Sequence, residues 1–372
     1  MREICEKHFG EIEDSRCQCD VEHKLVDVLI MVMCAVLCGL DKPEDITAYG
    51  KEKQIFLEKH FGITKTPSES TLLRILNMVS GDAVSECVIK IMREKIGLPG
   101  EIIAVDGKTI CSTAKKNSNR EKLHILTAYM TENGVTLGQL AVNEKTNEIP
   151  VMRELLDMID IKGKIITADA MHCQKDTVEK IIEQGGDYVI GLKGNQEILF
   201  EEVKSYIEDC IEDKNIFVET AQTTEKNKDR IEQRTCYKAP TLEWYEDKNE
   251  WVGLSTAFAI RRKTITKQGI SEETGYYIAS QDFSAEKLLD IVREHWKIES
   301  MHWLLDVVFS EDDCRILNSN GQKTLNIFRK SAVAFHKNHI SGLKQKTKPS
   351  LKNNMLRSLI SNNHLLDVIG IV

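Results

Sequence analysis

Three carboxylates in this chain occupy positions that a fold can bring to one point. Asp106 closes the apolar run Ile102-Ile-Ala-Val-Asp106, and Asp169 closes Lys164-Ile-Ile-Thr-Ala-Asp169. Glu299 lies in Arg293-Glu-His-Trp-Lys-Ile-Glu299-Ser-Met-His302-Trp-Leu-Leu-Asp306. Hard oxygen ligands with open positions suit Mg²⁺ or Mn²⁺. Two such ions about 4 Å apart activate a water or a 3′-hydroxyl and stabilise the leaving oxygen of an in-line phosphoryl displacement. Taken singly, each carboxylate also reads as a helix cap, a turn residue or a salt-bridge partner, and Asp106-Gly107 is an ordinary turn dipeptide.

The stretch around Glu299 reads as a helix. On a 3.6-residue period His295, Glu299, His302 and Asp306 share one stripe, with Trp296 and Trp303 beside it as expected anchors. Ser284 is the expected cap. The two apolar runs that end in aspartate read as buried strands, and open α/β sheets place their sites at the carboxyl ends of strands. Asp187 to Lys193 reads as a third such strand. His124–Met130 and Gly134–Val142 read as a hairpin across Glu132-Asn-Gly134. Helices are expected over 150–159, 172–184, 196–211 and 324–336. The order predicts a mixed sheet with helices on its faces. Residues 215–283 read as a β-rich insertion, with strands over 216–221, 231–238, 251–263 and 275–280.

Residues 1–97 read as helical. Val26–Leu40 is one apolar helix and Ile46–Phe61 another. Ser68 or Ser70 caps a third that runs through Leu76 and carries Arg74. That arrangement fits helix-turn-helix DNA binding and equally fits plain helix packing. Cys5, His8, Cys17, Cys19 and His23 lack a paired Cys-x2-Cys knuckle, so zinc is not expected there.

Cations gather in several places. Lys108, Lys115, Lys116, Arg120 and Lys122 surround Asp106, and Arg261, Arg262, Lys263 and Lys267 cluster in the insertion. Lys193-Gly-Asn195-Gln joins a strand to a helix, where backbone N–H groups hold a phosphate. From Cys314 to Leu366 there is no Asp or Glu, although the net charge of the chain is −8. Such groups suit a nucleic-acid backbone and equally suit a solvated surface.

The 372-residue length accommodates two domains or one elaborated one, and the low content of Pro and Gly argues against long linkers. The most apolar run is too short to cross a bilayer, so no membrane association is expected. Eleven cysteines without a recognisable secretory signal suggest reduced thiols and a cytoplasmic location.

Taken together, these motifs resemble DDE-type insertion-sequence transposases, specifically the H-repeat-associated group with a ribonuclease H-like catalytic core. The resemblance runs nearly full length. Val36-Leu-Cys-Gly39 and Pro67-Ser-Glu-Ser-Thr71 are similar to the associated N-terminal domain. Ala104-Val-Asp106-Gly-Lys108 is similar to the first-Asp motif, and Thr167-Ala-Asp169-Ala-Met-His172 to the second. The third spans Arg293-x-His295-Trp296-x-Ile298-Glu299, His302-Trp303-x-Leu305-Asp306-Val and Phe309-x-Glu311-Asp312. The broader superfamily carries Tyr-x2-Arg-x3-Glu-x6-Lys on this helix, and Val292, His295, Glu299 and Asp306 stand at those positions here.

The resemblance implies an α/β ribonuclease H-like fold with a mixed sheet and flanking helices, and the β-rich insertion before the last catalytic helix. Expected domains are a helical N-terminal DNA-binding region over 1–97, a catalytic domain over 98–340 and a basic tail over 341–372. It implies a DNA transposase whose Asp106, Asp169 and Glu299 bind two Mg²⁺ (or Mn²⁺), cleaving at element ends and transferring strands into target DNA. His172, His295, His302 and Asp306 are expected to support those ligands. Lys108, Lys115, Lys116, Arg120, Lys193, Asn195, Arg261, Arg262, Lys263, Arg293 and Lys297 are expected on DNA, with a homodimer or larger assembly. Two rivals stand. Glu299-x-x-His302 and Asp169-x-x-His172 prompt a di-iron or zinc hydrolase, against which Asp169 sits at a strand end rather than on a helix. The other rival is a DNA-binding relic without catalysis.

Overall fold

Asp106 and Asp169 sit where they do because two apolar runs pair in register. The computed structural model describes residues 1–17, 21–111, 122–142, 147–213, 215–227 and 229–370. The helices are α1 (Arg2–Phe9), α2 (Leu25–Leu37), α3 (Pro43–Glu52), α4 (Gln54–Phe61), α5 (Glu69–Met78) and α6 (Gly81–Ile96). There follow β1 (Ile102–Ile110), β2 (Leu123–Met130), β3 (Thr136–Val142), α7 (Glu148–Asp157), β4 (Ile165–Ala168), α8 (Lys175–Glu183), β5 (Asp187–Leu192) and α9 (Glu197–Glu212). The insertion supplies β6 (Glu219–Asn227), β7 (Arg230–Lys238), β8 (Thr256–Thr266) and β9 (Gly269–Ala279). The chain closes with α10 (Ala285–Phe309), α11 (Ser319–Gly342), α12 (Leu351–Ile360) and α13 (Asn362–Val368).

These elements form two compact units. One gathers residues 1–100, 107–145 and 300–372, and the other gathers 101–106 and 146–299. In the second unit the strand order is β1-β4-β5-β9-β8-β7-β6. β1, β4 and β5 are parallel, with Val105 beside Ala168 and Ala168 beside Ile190. β9 joins β5 antiparallel, and β8, β7 and β6 continue as an antiparallel meander. The sheet is therefore mixed, as the alternation of runs suggests. The first part of α10 covers it: Ala285, Leu288, Leu289, Ile291 and Val292 pack on Ile102, Ile165, Val189, Phe258 and Ala279. Each is wholly or almost wholly buried, so this contact is the main apolar anchor of the helix. Ser284 caps it by accepting from the Lys287 backbone N–H at 3.3 Å.

In the first unit α2 is buried on every face from Val28 to Leu37, which explains the apolar run that follows Asp27. Serine caps start α5 and α6 at Ser68 and Ser80. The buried face of α5 is Leu72, Ile75 and Leu76, and Arg74 is exposed. Cys5 is buried and His8 Nε2 lies 2.9 Å from Glu94; Cys19 lies outside the described residues.

Several local expectations are corrected. Ile46–Phe61 is two helices, broken at Lys53, whose ψ of 18° leaves the helical range. β1 does not end at Asp106-Gly107 but runs on to Ile110, because Lys108 and Ile110 find buried surroundings. The strand expected over 275–280 is eleven residues long, reaching back to Gly269. A 3-10 turn over Ala170–His172 precedes the α-helix expected from 172. The stretch read as a basic tail carries α12 and α13, each capped by a serine (Ser350 and Ser361) and held by buried Met355, Leu365, Leu366 and Val368. Trp296 and Trp303 do not anchor α10: they are 44% and 60% exposed. The stripe-side apolar residues Ile298, Met301 and Leu305 are buried instead.

Candidate catalytic site

The pairing of β1 with β4 ends at Val105 beside Ala168. Asp106 is the next residue of β1, and Asp169 follows the end of β4 as the residue before the 3-10 turn. Neighbouring strands lie about 4.8 Å apart, so the chain enters Asp106 and Asp169 from paired residues, although Asp106 is not among the residues that line the cleft described next. Glu299 comes from α10, one turn after His295. Both Glu299 and Asp169 line a cleft of about 230 Å³ with Lys193, Phe200, Tyr276 and Trp296.

His295 joins helix to sheet. Its Nδ1 lies 2.9 Å from the Thr167 hydroxyl, and its Nε2 lies 3.7 Å from the Asp169 carboxylate. The electrostatics of the carboxylates diverge. His295, the strongest influence, holds the Asp169 carboxyl below its ordinary range despite partial burial, with help from Lys193 and His172. Glu299 moves the other way. Its recess in the cleft raises it first, and the charges of Asp106 and Asp169 raise it further, against His295 and Arg262. Glu299 thus feels both aspartates, and repulsion of this kind is what a divalent cation relieves. As hard oxygen donors they fit Mg²⁺ or Mn²⁺. Among the described residues no group of three or more His, Cys, Asp and Glu is placed so that it could hold a metal ion. The chemistry of the donors fits the metal, while their spacing leaves the set open.

The supporting residues scatter. His172 is buried, its Nε2 3.5 Å from Glu148. His302 is buried in the first unit. Asp306, also in that unit, accepts from Lys108 Nζ, which donates to Glu311 as well at 3.1 Å. Lys108 is therefore committed to a buried ion pair rather than presented as a DNA contact, because the strand continues past Asp106 and carries it inward.

The cations of the insertion are compensated across strands. Arg261 pairs with Glu272 at 3.4 Å and stacks over Tyr237. Arg262 pairs with Glu273 at 2.6 Å and lies 5.7 Å from the Trp296 ring centre. Lys263 stands opposite Glu272 in the β8–β9 register and is half-buried. Arg293 pairs with Glu225, which also receives Arg234 at 3.1 Å. Lys297 pairs with Glu294 at 2.6 Å. Lys193 is exposed at the cleft, and Asn195 uses its amide to hold the Ala170 carbonyl at 2.8 Å. Lys115, Lys116 and Arg120 lie outside the described residues. In the basic stretch after Cys314, Arg329 and Lys330 are buried, whereas Lys344, Lys346, Lys348, Lys352 and Arg357 are exposed.

Thr167 opens the second motif, but no role for its side chain is expected from sequence. A period-2 reading would have found it, since residues two apart on a strand share a face and Thr167 precedes Asp169 by two.

Comparison with known proteins identifies the family. Residues 97–335 match the family described as Transposase DDE domain, and residues 6–92 match a DDE_Tnp_1-associated region. The chain is 35% identical to an Escherichia coli K12 protein named "H repeat-associated putative transposase YhhI", covering 98% of this chain and 97% of that one. It is 34% identical to "Putative transposase YncI" of Escherichia coli O157:H7, over 88% of this chain and 85% of that one. A solved piggyBac transposase synaptic complex with hairpin DNA aligns over 99% of this chain and 77% of that one at 10% identity. Its TM-score is 0.44, a likeness too low to bear on fold or activity. Among the described residues no helix is long and apolar enough to cross a membrane. The match of the family model across most of the chain, with near full-length relatives, makes the conclusion direct: this chain belongs to the DDE-domain transposase family, in the H-repeat group.

Proposed function

We propose that the protein is an active DNA transposase using Asp106, Asp169 and Glu299 to hold two divalent ions, Mg²⁺ or Mn²⁺. The observation that supports this most is the β1–β4 register, which pairs Val105 with Ala168 immediately before the two aspartates, with Glu299 raised by the charges of both. When bound, such ions supply activation of the attacking oxygen and stabilisation of the leaving oxygen during phosphoryl displacement. The chain's own residues bind and orient. Asp106 and Asp169 form one wall, Glu299 closes over them from α10, and His295 holds Asp169. Lys193 is the exposed cation best situated to meet a DNA phosphate at the cleft. The exposed cations of 344–357 offer a second contact with the backbone of DNA. The helical region 1–97 serves DNA recognition in this reading, and a dimer or larger assembly brings two element ends together.

The test uses DNA fragments spanning the chromosomal flanks of the gene, supplied with Mg²⁺. The intact protein is expected to nick them, and Asp106→Ala is expected to bind them without nicking. Nicking that survives Asp106→Ala would overturn the mechanism. Binding without nicking by the intact protein would favour a catalytically silent relic.

A further inference from the structure

The second unit holds a hydrogen bond that the motif residues alone do not explain. Thr167 is 2% exposed and has its hydroxyl 2.9 Å from His295 Nδ1. It lies on β4 two residues before Asp169, and His295 lies on α10 four residues before Glu299. Two residues of strand rise about 6.6 Å, and four residues of helix rise about 6 Å. The two spacings nearly match. A rung made between Thr167 and His295 therefore sets the next rung, in which Asp169 and Glu299 face the same cleft.

The same ring also looks toward the carboxylate. Nε2 of His295 lies 3.7 Å from Asp169 Oδ1. An ionised carboxylate only accepts, so a neutral imidazole meets it favourably when the N–H is on Nε2. Nδ1 then accepts the Thr167 hydroxyl proton. Which nitrogen carries the proton is thus set by what the other one bonds, as for histidines that support metal ligands.

We propose that Thr167 and His295 form a positioning pair: the threonine hydroxyl fixes the Nε2–H tautomer and ring orientation of His295, which in turn aims Asp169 and spaces α10 from β4. This rests on the reading of Asp169 and Glu299 as ligands of one site. Neither residue of the pair touches the reacting atoms. The broader superfamily's arginine at the His295 position is replaced here by a residue that turns inward to the strand.

Two readouts test the pair. In metal-free, DNA-free protein labelled with ¹⁵N-histidine, the His295 ring is expected in the Nε2–H form, and Thr167→Val is expected to mix the tautomers. Titrated with Mn²⁺ alone, Thr167→Val is expected to bind about 10- to 100-fold more weakly, and Thr167→Ser within about twofold of the unaltered protein. An Nδ1–H tautomer in the unaltered protein would overturn the proposal without recourse to any variant. So would a folded Thr167→Val that keeps both the tautomer and the Mn²⁺ affinity. Should the unaltered protein bind no Mn²⁺ yet show the Nε2–H ring that Thr167→Val disturbs, the pair stands and the metal reading falls.

Discussion

Glu311 in the first unit and Glu299 in the second are treated in opposite ways. In the first, Asp41 and Glu311 are buried and given cations. Arg329 binds Asp41 at 2.7 Å and Glu311 at 3.2 Å, Lys108 adds a second bond to Glu311 at 3.1 Å, and Asn326 donates to it at 3.0 Å. Burial pushes the Glu311 carboxyl up, but Arg329, Lys108, Asn326 and Lys330 together bring it below its ordinary range. In the second unit, Glu299 is half in solvent beside two aspartates and is raised. A residue that serves the fold is compensated in place. The carboxylate proposed to serve chemistry is raised instead. Compensation, more than burial, separates Glu311 from Glu299, while burial still holds Asp41 above its ordinary range beside Arg329.

Variants that break this contrast are ordered by expected effect. Arg329→Met leaves Asp41 and Glu311 buried without their main cation, and removing one partner of such a pair typically costs about 3–5 kcal/mol. Urea unfolding measures it, and a loss under about 1 kcal/mol would mean that the network is no more than a surface pair. Glu299→Gln is the counterpart: the urea midpoint is expected to hold or rise as repulsion is relieved, while DNA nicking disappears. A fall in stability comparable to that of Arg329→Met would erase the distinction between the units.

Lys330 sharpens the contrast through pH. It is fully enclosed, donating to Thr127 and Gln139, and burial lowers its amine to about 7 from an ordinary 10.5. The unfolded chain then binds a proton that the folded chain lacks between those values. Stability attributable to Lys330 therefore rises with pH across that window and is constant below about 7. Lys330→Met is expected to flatten the slope between pH 7.5 and 9 by up to about 1.4 kcal/mol per pH unit. An unchanged slope would place the ammonium, rather than the amine, in the core. The smallest effect belongs to Ser310, which follows α10 at φ 50° and ψ 47°. Glycine takes this left-handed conformation freely, so Ser310→Gly should stabilise by about 0.5–1 kcal/mol. A lower unfolding midpoint for that variant would contradict it.

Sequence revealed the parts whose signals are local. The apolar runs before Asp106 and Asp169, the stripe holding His295 and Glu299, and the Ser284 cap are each written within a dozen residues. Partners remote in the chain were invisible. Lys108 is 198 residues from Asp306 and 203 from Glu311, and nothing in the run of lysines after Asp106 marks the first as inward. The cluster Arg261-Arg262-Lys263 looks uncompensated along the chain, yet its acids stand opposite on β9. Arg329 and Lys330 were counted with the basic stretch because their helix could not be oriented without its neighbours. The tryptophans misled for a related reason: size suggests anchoring, but Trp296 lies on the open side, over Arg262.

The central claim is that Asp106, Asp169 and Glu299 share bound divalent ions. Fe²⁺ substituted for Mg²⁺, with ascorbate and peroxide, generates hydroxyl radicals that cut the polypeptide beside the ion. Backbone cuts are expected only in the neighbourhoods of residues 106, 169 and 299, suppressed together by excess Mg²⁺ and together by Asp106→Ala. Cuts at one of these positions alone, or at other acidic clusters with these three spared, would contradict it.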